Sequence, residues 1–241
     1  MESDGSLPVC KRVLIKISGE ALMGSGEFGL DSSTVESICS QIDETKQLSI
    51  EIGIVVGGGN IFRGLNAAER GMDRVTADNM GMLATVINSL AMMDALEKRG
   101  IPTRVMSAVG LAAFAEPYIK RRAVRHMEKG RLVIFAAGTG SPYFSTDTAA
   151  SLRAMEIDAG LMIKATNVDG VYSDDPKKCH DAEFFSSLKY KDILTRELKV
   201  IDSTAVSLLM GSNIPVRVID LNVPGNLKRA VMGADVGTLI S

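Results

Sequence analysis

Three hydrophobic runs in this chain each stop abruptly at glycine, and no other feature constrains the fold as strongly. The runs are Arg12–Ile17 into Ser18-Gly19, Ile50–Val56 into Gly57-Gly58-Gly59-Asn60, and Leu132–Ala137 into Gly138-Thr139-Gly140. A buried strand ending in glycine lets the backbone approach a ligand without a Cβ in the way. Where a helix follows, its unpaired N–H groups point at the same spot and favour an anion. Three such exits in one domain predict several phosphates held along one edge of a sheet.

Further apolar runs at Thr103–Met106, Gly160–Ala165, Val216–Asp220 and Thr238–Ile240 alternate with helix-length segments. That alternation predicts an α/β fold with a mostly parallel sheet and helices on both faces. One helix is expected to start at Asp31-Ser32, an N-cap pair, with Val35, Ile38, Cys39 and Ile42 on its inner face. A longer helix is expected from about Val75 to Arg99, stopped by Gly100-Ile101-Pro102. Pro117–Lys129 reads as helical with Gly130 just past its end, and Ser145-Thr146-Asp147 caps a helix running to about Ile157. Asp174–Tyr190 is the least regular stretch and reads as a loop. The 241 residues suit a single large domain with residues 1–10 as a flexible tail.

A net charge of −2 makes no electrostatic case for nucleic acid or an anionic membrane as main partner. The three cysteines are scattered and lack CxxC spacing, so they read as reduced thiols. No apolar run approaches a membrane span, and Met1–Pro8 does not resemble a signal sequence, so a cytoplasmic protein is expected.

Lys16 stands one residue from the end of a strand that is otherwise apolar, which suits either a snorkelling edge-strand lysine or an ammonium reaching phosphate oxygens. Three successive glycines at Gly57–Gly59 exceed the needs of a tight turn and suggest an anion nest, with Arg63 near enough to add a forked cation. Gly24-Ser25-Gly26-Glu27-Phe28-Gly29 matches GxGxxG but lacks the strand directly before and the helix directly after, so it reads as a loop. GxxxxGK[ST] does not occur, and neither His126 nor His180 neighbours a glycine exit; both read as surface residues. The row Lys120, Arg121, Arg122, Arg125 and Lys129 reads as a solvated helix face. In Lys164–Tyr172, Thr166 and Asn167 offer donors and acceptors for a base edge, Tyr172 a stacking face, and Asp174 and Asp175 carboxylates for ribose hydroxyls.

With those motifs in place the chain resembles the bacterial uridylate (UMP) kinases of the amino-acid-kinase family. The resemblance rests on KISGEAL (Lys16–Leu22), VVGGGNIFRG (Val55–Gly64), DNMGMLATVINSLAM (Asp78–Met92), AAGTGSPYFSTDTAA (Ala136–Ala150) and KATNVDGVY (Lys164–Tyr172), and spans about residues 11–240. It implies a three-layer α/β/α sandwich, with an acceptor-binding N-terminal half and an ATP-binding C-terminal half. It implies transfer of the γ-phosphoryl group of ATP to UMP, with Mg²⁺, in pyrimidine nucleotide biosynthesis. Carried onto this chain, Lys16, Ile17, Ser18, Gly19, Gly59 and Arg63 would meet ATP phosphates, and Thr166, Asn167, Tyr172 and Asp175 the adenosine. Gly58 and Asp78 would hold UMP together with Thr139, Gly140, Ser141, Pro142, Tyr143, Phe144, Ser145 and Thr146. Asp147 would organise the lysine and phosphate cluster, making Lys16, Arg63 and Asp147 the catalytic set. Where the family loop reads GTGNPFFTTD, this chain has Ser141, Tyr143 and Ser145. The resemblance further implies a homohexamer, activated by GTP and inhibited by UTP, with Arg104, Arg131 and Gly24–Gly29 at positions linked to the GTP response.

An acceptor phosphate monoester has a second pKa of about 6, so near neutrality it is already the dianionic nucleophile and needs no general base. The chemistry then requires two anions to be brought together, against a repulsion of roughly 4 kcal/mol for unit charges ~4 Å apart at an effective dielectric of about 20. Relatives that phosphorylate carboxylates or carbamate, and a non-catalytic nucleotide sensor, are the rival readings.

Overall fold

The computed structural model describes residues 7–64, 71–174, 176, 178–179 and 181–241. In chain order the strands are β1 (Arg12–Ile17), β2 (Glu51–Val56), β3 (Thr103–Ser107), β4 (Glu116–Pro117), β5 (Leu132–Ala136), β6 (Leu161–Thr166), β7 (Val171–Tyr172), β8 (Phe184–Phe185), β9 (Ser187–Leu188), β10 (Val216–Asp220) and β11 (Thr238–Ile240). Nine of them form one sheet of order β4-β3-β5-β2-β1-β6-β10-β11-β9, and β7 pairs with β8 in a small ribbon. Within the large sheet only β10 and β11 run antiparallel.

β1 lies at the centre, paired on both sides, because its residues after Arg12 are buried and need cover on both faces. Strand alternation divides the core. Val13, Ile15 and Ile17 pack with α1 (Ser32–Lys46), α2 (Arg74–Lys98) and α7 (Asn226–Val231) on one face. Leu14 packs on the other with α3 (Lys120–Glu128), α4 (Thr146–Glu156), α5 (Tyr190–Thr195) and α6 (Ser203–Met210). Each fully buried Ile or Leu contributes about 1.5–3 kcal/mol. Packing is tight enough that Gly53 is required in β2, since a Cβ there would stand 2.9 Å from the Phe135 ring. This is the expected three-layer α/β/α sandwich.

Helix starts follow the expected caps. Asp31 accepts the Thr34 N–H at 2.7 Å, and Ser145 accepts the Thr148 N–H at 3.0 Å. Gly130 follows α3 at φ 76°, a left-handed position that favours glycine. Four expectations are revised. The helix expected from Pro117 begins only at Lys120, because Glu116–Pro117 continues beside β3 as a strand and the Tyr118 N–H donates to the Ser107 carbonyl at 2.9 Å. The Asp174–Tyr190 stretch carries β8 and β9, held by non-local pairing to β7 and β11. His126 is not a simple surface residue, since its side chain is 13% exposed and pairs with Glu116. Of the expected tail, Val9 is tied down through its N–H to the Val231 carbonyl at 3.0 Å. Asp175, His180 and residues 1–6 lie outside the described residues. Among the described residues no helix is long and apolar enough to cross a membrane.

Candidate active site

Lys16 and Lys164 are direct register partners on the adjacent strands β1 and β6. Lys16 follows Leu14 by two residues and Lys164 follows Met162 by two, so both lysines project to the α4 face. Asp147, in the first turn of α4, receives them: Lys164 Nζ lies 2.5 Å from Oδ2 and Lys16 Nζ 2.9 Å from Oδ1. The Lys16 contact is an ion pair at Oδ1. A lysine in a central strand is not a snorkelling edge residue, and that alternative is excluded. Burial alone would raise the Asp147 carboxyl, but Lys16 and Lys164 outweigh it and hold it below the usual carboxylate range. Burial first, and Lys16 second, push the Lys164 ammonium down to about 8, against the pull of Asp147.

Beside this cluster the exits of β1 and β2 close on each other. A Cβ on Gly19 would stand 2.7 Å from Gly59 N, and one on Gly58 2.7 Å from the Gly81 carbonyl of α2. Only glycines permit that approach. The Gly57 N–H bonds the Ile17 carbonyl at 2.9 Å, whereas the N–H groups of Gly58 and Gly59 have no backbone partner among the described residues. Successive unpaired amides at a turn are what an anion nest requires. Arg63 sits at its rim, 2.8 Å from Glu20, with both side chains half-exposed.

A cavity of about 550 Å³ opens from the nest. Gly58, Gly59, Arg63, Asp78, Thr139, Ser141, Tyr143, Phe144, Ser145 and Thr146 line it, while Gly140 and Pro142 do not. Its far wall is the β5–α4 loop, in which Ala137, Gly138, Gly140 and Tyr143 all take positive φ. Asp78 pins that loop by accepting the Tyr143 N–H at 2.8 Å, and Arg74 Nε holds the same carboxylate oxygen at 2.8 Å. The Thr85 hydroxyl accepts the Ala137 N–H at 2.8 Å. Asp202, the cap of α6, accepts from Ser145 and from Thr148, so the start of α4 is braced from a second helix.

A second cavity of about 490 Å³ lies beyond β6, lined by Val168, Gly170–Asp174, Pro176, Lys178 and residues 197–200. Tyr172 is in its wall, its hydroxyl donating to Asp169 at 2.8 Å and its ring edge-on to Phe184. Thr166 and Asn167 stand at the end of β6, outside this lining; the Thr166 hydroxyl is engaged by Val168 in a local turn. Arg104 and Arg131 lie away from both cavities and converge through Glu116 and His126, with Arg104 Nε 3.7 Å from Glu116 and Arg131 3.0 Å from His126. The Gly24–Gly29 loop is joined to the nest at its end, where the Gly29 N–H meets the Asn60 carbonyl at 2.8 Å. Phe28 within it is 74% exposed.

Among the described residues no group of three or more His, Cys, Asp or Glu could cage a metal, and Asp147 Oδ1 is a buried oxygen without a hydrogen bond.

The amino acid kinase family model matches residues 11–220. The chain belongs to the amino acid kinase family. Similar solved structures include a UMP kinase from Bacillus anthracis, 42% identical with a TM-score of 0.93, covering 96% of each chain. A UMP kinase from Ureaplasma parvum is 36% identical with a TM-score of 0.89, covering 96% of this chain and 98% of that one. A uridylate kinase from Archaeoglobus fulgidus is 30% identical with a TM-score of 0.74, covering 95% and 99%. In this amino acid kinase, sequence reasoning missed Lys164, Thr85, Asn88 and Asp202 as site residues. Lys164 carried a usable signal, a lysine in a buried strand one residue pair from a polar exit, the same pattern as Lys16. The other three carry no local signal, because their partners lie tens of residues away.

Proposed function

We propose that the protein transfers the γ-phosphoryl group of ATP to UMP, giving UDP for pyrimidine nucleotide biosynthesis. The observation that carries this reading is a pair of register-matched lysines sharing one buried carboxylate, with a nucleotide-sized cavity at the strand exits on either side. The similarity to the two bacterial UMP kinases supports it.

UMP would occupy the larger cavity, its phosphate on the Gly58 amide, with the loop of residues 139–146 and Asp78 around the nucleoside. ATP would lie along β1 and β6. Its phosphates would meet Lys16, Ser18, Gly19, Gly59 and Arg63, and its adenosine would enter the second cavity beside Tyr172, near Thr166 and Asn167. An oxygen of the UMP phosphate attacks the γ-phosphorus, and the bond to the bridging oxygen breaks as ADP leaves with the electron pair. No general base is needed, because that phosphate is already mostly dianionic. Lys16 and Lys164 offset the repulsion between the two anions, and Asp147 holds both ammonium groups in place. Mg²⁺, held by the ATP phosphates, would supply further charge neutralisation.

The reading includes a cytoplasmic homohexamer activated by GTP and inhibited by UTP. In support of an oligomer, Met80, Leu83 and Ile87 form an apolar row on the outer side of α2, 39, 49 and 50% exposed. A monomer by sedimentation at micromolar concentration would remove that part. The three free cysteines are consistent with a reducing compartment. A coupled assay of ADP release with a panel of UMP, CMP, aspartate, glutamate, acetylglutamate and carbamate tests the activity. UMP-dependent release is expected. Release driven by a carboxylate instead, or none with any acceptor, would overturn the reading.

A further inference from the structure

The glycine nest depends on amide direction, and glycine-flanked peptide planes reorient at little steric cost. In a trans peptide the C=O and N–H point opposite ways, so whatever binds the carbonyl aims the N–H. The plane between Gly58 and Gly59 is aimed locally: its carbonyl accepts the Ile61 and Phe62 N–H groups at 3.0 and 2.9 Å. The plane between Gly57 and Gly58 has no such local partner. Its carbonyl is instead held by Asn88, which reaches out of the middle of α2 to donate from Nδ2 at 2.7 Å.

Asn88 is wholly buried, and its own orientation is set by a second buried amide. Its Nδ2 also donates to Asn60 Oδ1 at 2.7 Å, while Asn60 Nδ2 donates back to Asn88 Oδ1 at 3.0 Å and to the Gly29 carbonyl at 2.8 Å. Both amide groups thus have every donor placed. A reversed Asn88 would set its oxygen against the Gly57 and Asn60 oxygens, leaving two buried acceptors face to face.

We propose that Asn88 is a positioning residue that aims the Gly58 amide into the larger cavity, and so sets the affinity for the acceptor's phosphate as distinct from its nucleoside. This rests on the UMP reading of that cavity. Asn88 touches no substrate; it acts through the peptide plane behind the ligand.

The test is the ratio of uridine to UMP dissociation constants, which isolates the phosphate contribution, measured calorimetrically for the native protein and for Asn88→Ala. The substitution is expected to lower that ratio about tenfold, the loss of one well-aimed hydrogen bond to a charged group. In parallel the KM for UMP is expected to rise about tenfold while the KM for ATP stays within about twofold, because the plane that carries the Gly59 N–H is still held by the Ile61 and Phe62 N–H groups on the Gly58 carbonyl. Where Asn88→Ala does not fold, Asn88→Ser is read the same way, since its hydroxyl is too short to reach the Gly57 carbonyl. Equal weakening of uridine and UMP, or an unchanged ratio, overturns the proposal. If the unsubstituted protein does not prefer UMP to uridine, the acceptor reading fails first and this inference with it.

Discussion

Replacing Asp147 by asparagine removes the one negative charge shared by two buried lysines, and the structure gives that change a distinctive pH signature. At 2.9 and 2.5 Å, each ammonium gains roughly 6 kcal/mol of attraction at an effective dielectric of about 20. Even so, the Lys164 ammonium is pushed from 10.5 down to about 8, so keeping it charged in the fold costs roughly 3 kcal/mol. Without Asp147 that residue discharges across the working pH range. The sign follows from proton counts. In the native protein the folded state holds fewer protons than the unfolded state between pH about 8 and 10.5, so this group's contribution to stability rises with pH across that window. In Asp147→Asn the same rise begins at lower pH. The stability deficit of the variant should therefore shrink by about 1.4 kcal/mol per pH unit between about pH 6 and 8, then level off. The level part should be about 3 kcal/mol, the low end for breaking a buried pair, because the asparagine keeps the volume and a polar oxygen of the replaced side chain. Urea unfolding followed by circular dichroism at about pH 6, 7.5 and 9, at one protein concentration, measures it. An equal deficit at the lowest and highest pH would refute the coupling of Lys164 to Asp147.

Lys16→Ala should lower kcat about 10²–10³-fold with the circular dichroism spectrum retained, since it removes a cation aimed at transferring phosphate; near-normal turnover would exclude that role. Asp78→Ala frees the Tyr143 N–H and the Arg74 guanidinium, so the KM for UMP should rise about tenfold with little change for ATP in steady-state kinetics. The Cys39 thiol is fully buried and pushed up to about 12, so thiol titration of the native protein at about pH 8 should leave it unreacted until denaturant is added. Modification of all three cysteines without denaturant would contradict the packing around α1.

How much was legible in advance depended on how local each signal was. Strand runs such as Arg12–Ile17 and Leu132–Ala136 were readable because apolar side chains buried on both faces leave a continuous run. The starts of α1 and α4 were readable because a cap acts over three residues, as Asp31 does on Thr34. Pro117 misled because its place beside β3 is set by a strand ten residues away, which helical spacing cannot register. β9 was invisible for a similar reason: two residues become a strand only because β11 is there to pair with them.

The amino-acid order alone determined which backbone segments end in glycine, where helices begin, and that Lys16 stands at a strand exit, since each of these is decided within a few bonds. It did not determine what Lys16 meets. That Lys164 lies opposite it, that Asp147 serves both, and that Asn88 stands behind Gly57 follow from sheet order and helix packing, which bring together residues 17 to 148 positions apart. Charges and amides so distant in the chain interact only after burial of the surrounding apolar surface has closed the distance and removed the water between them.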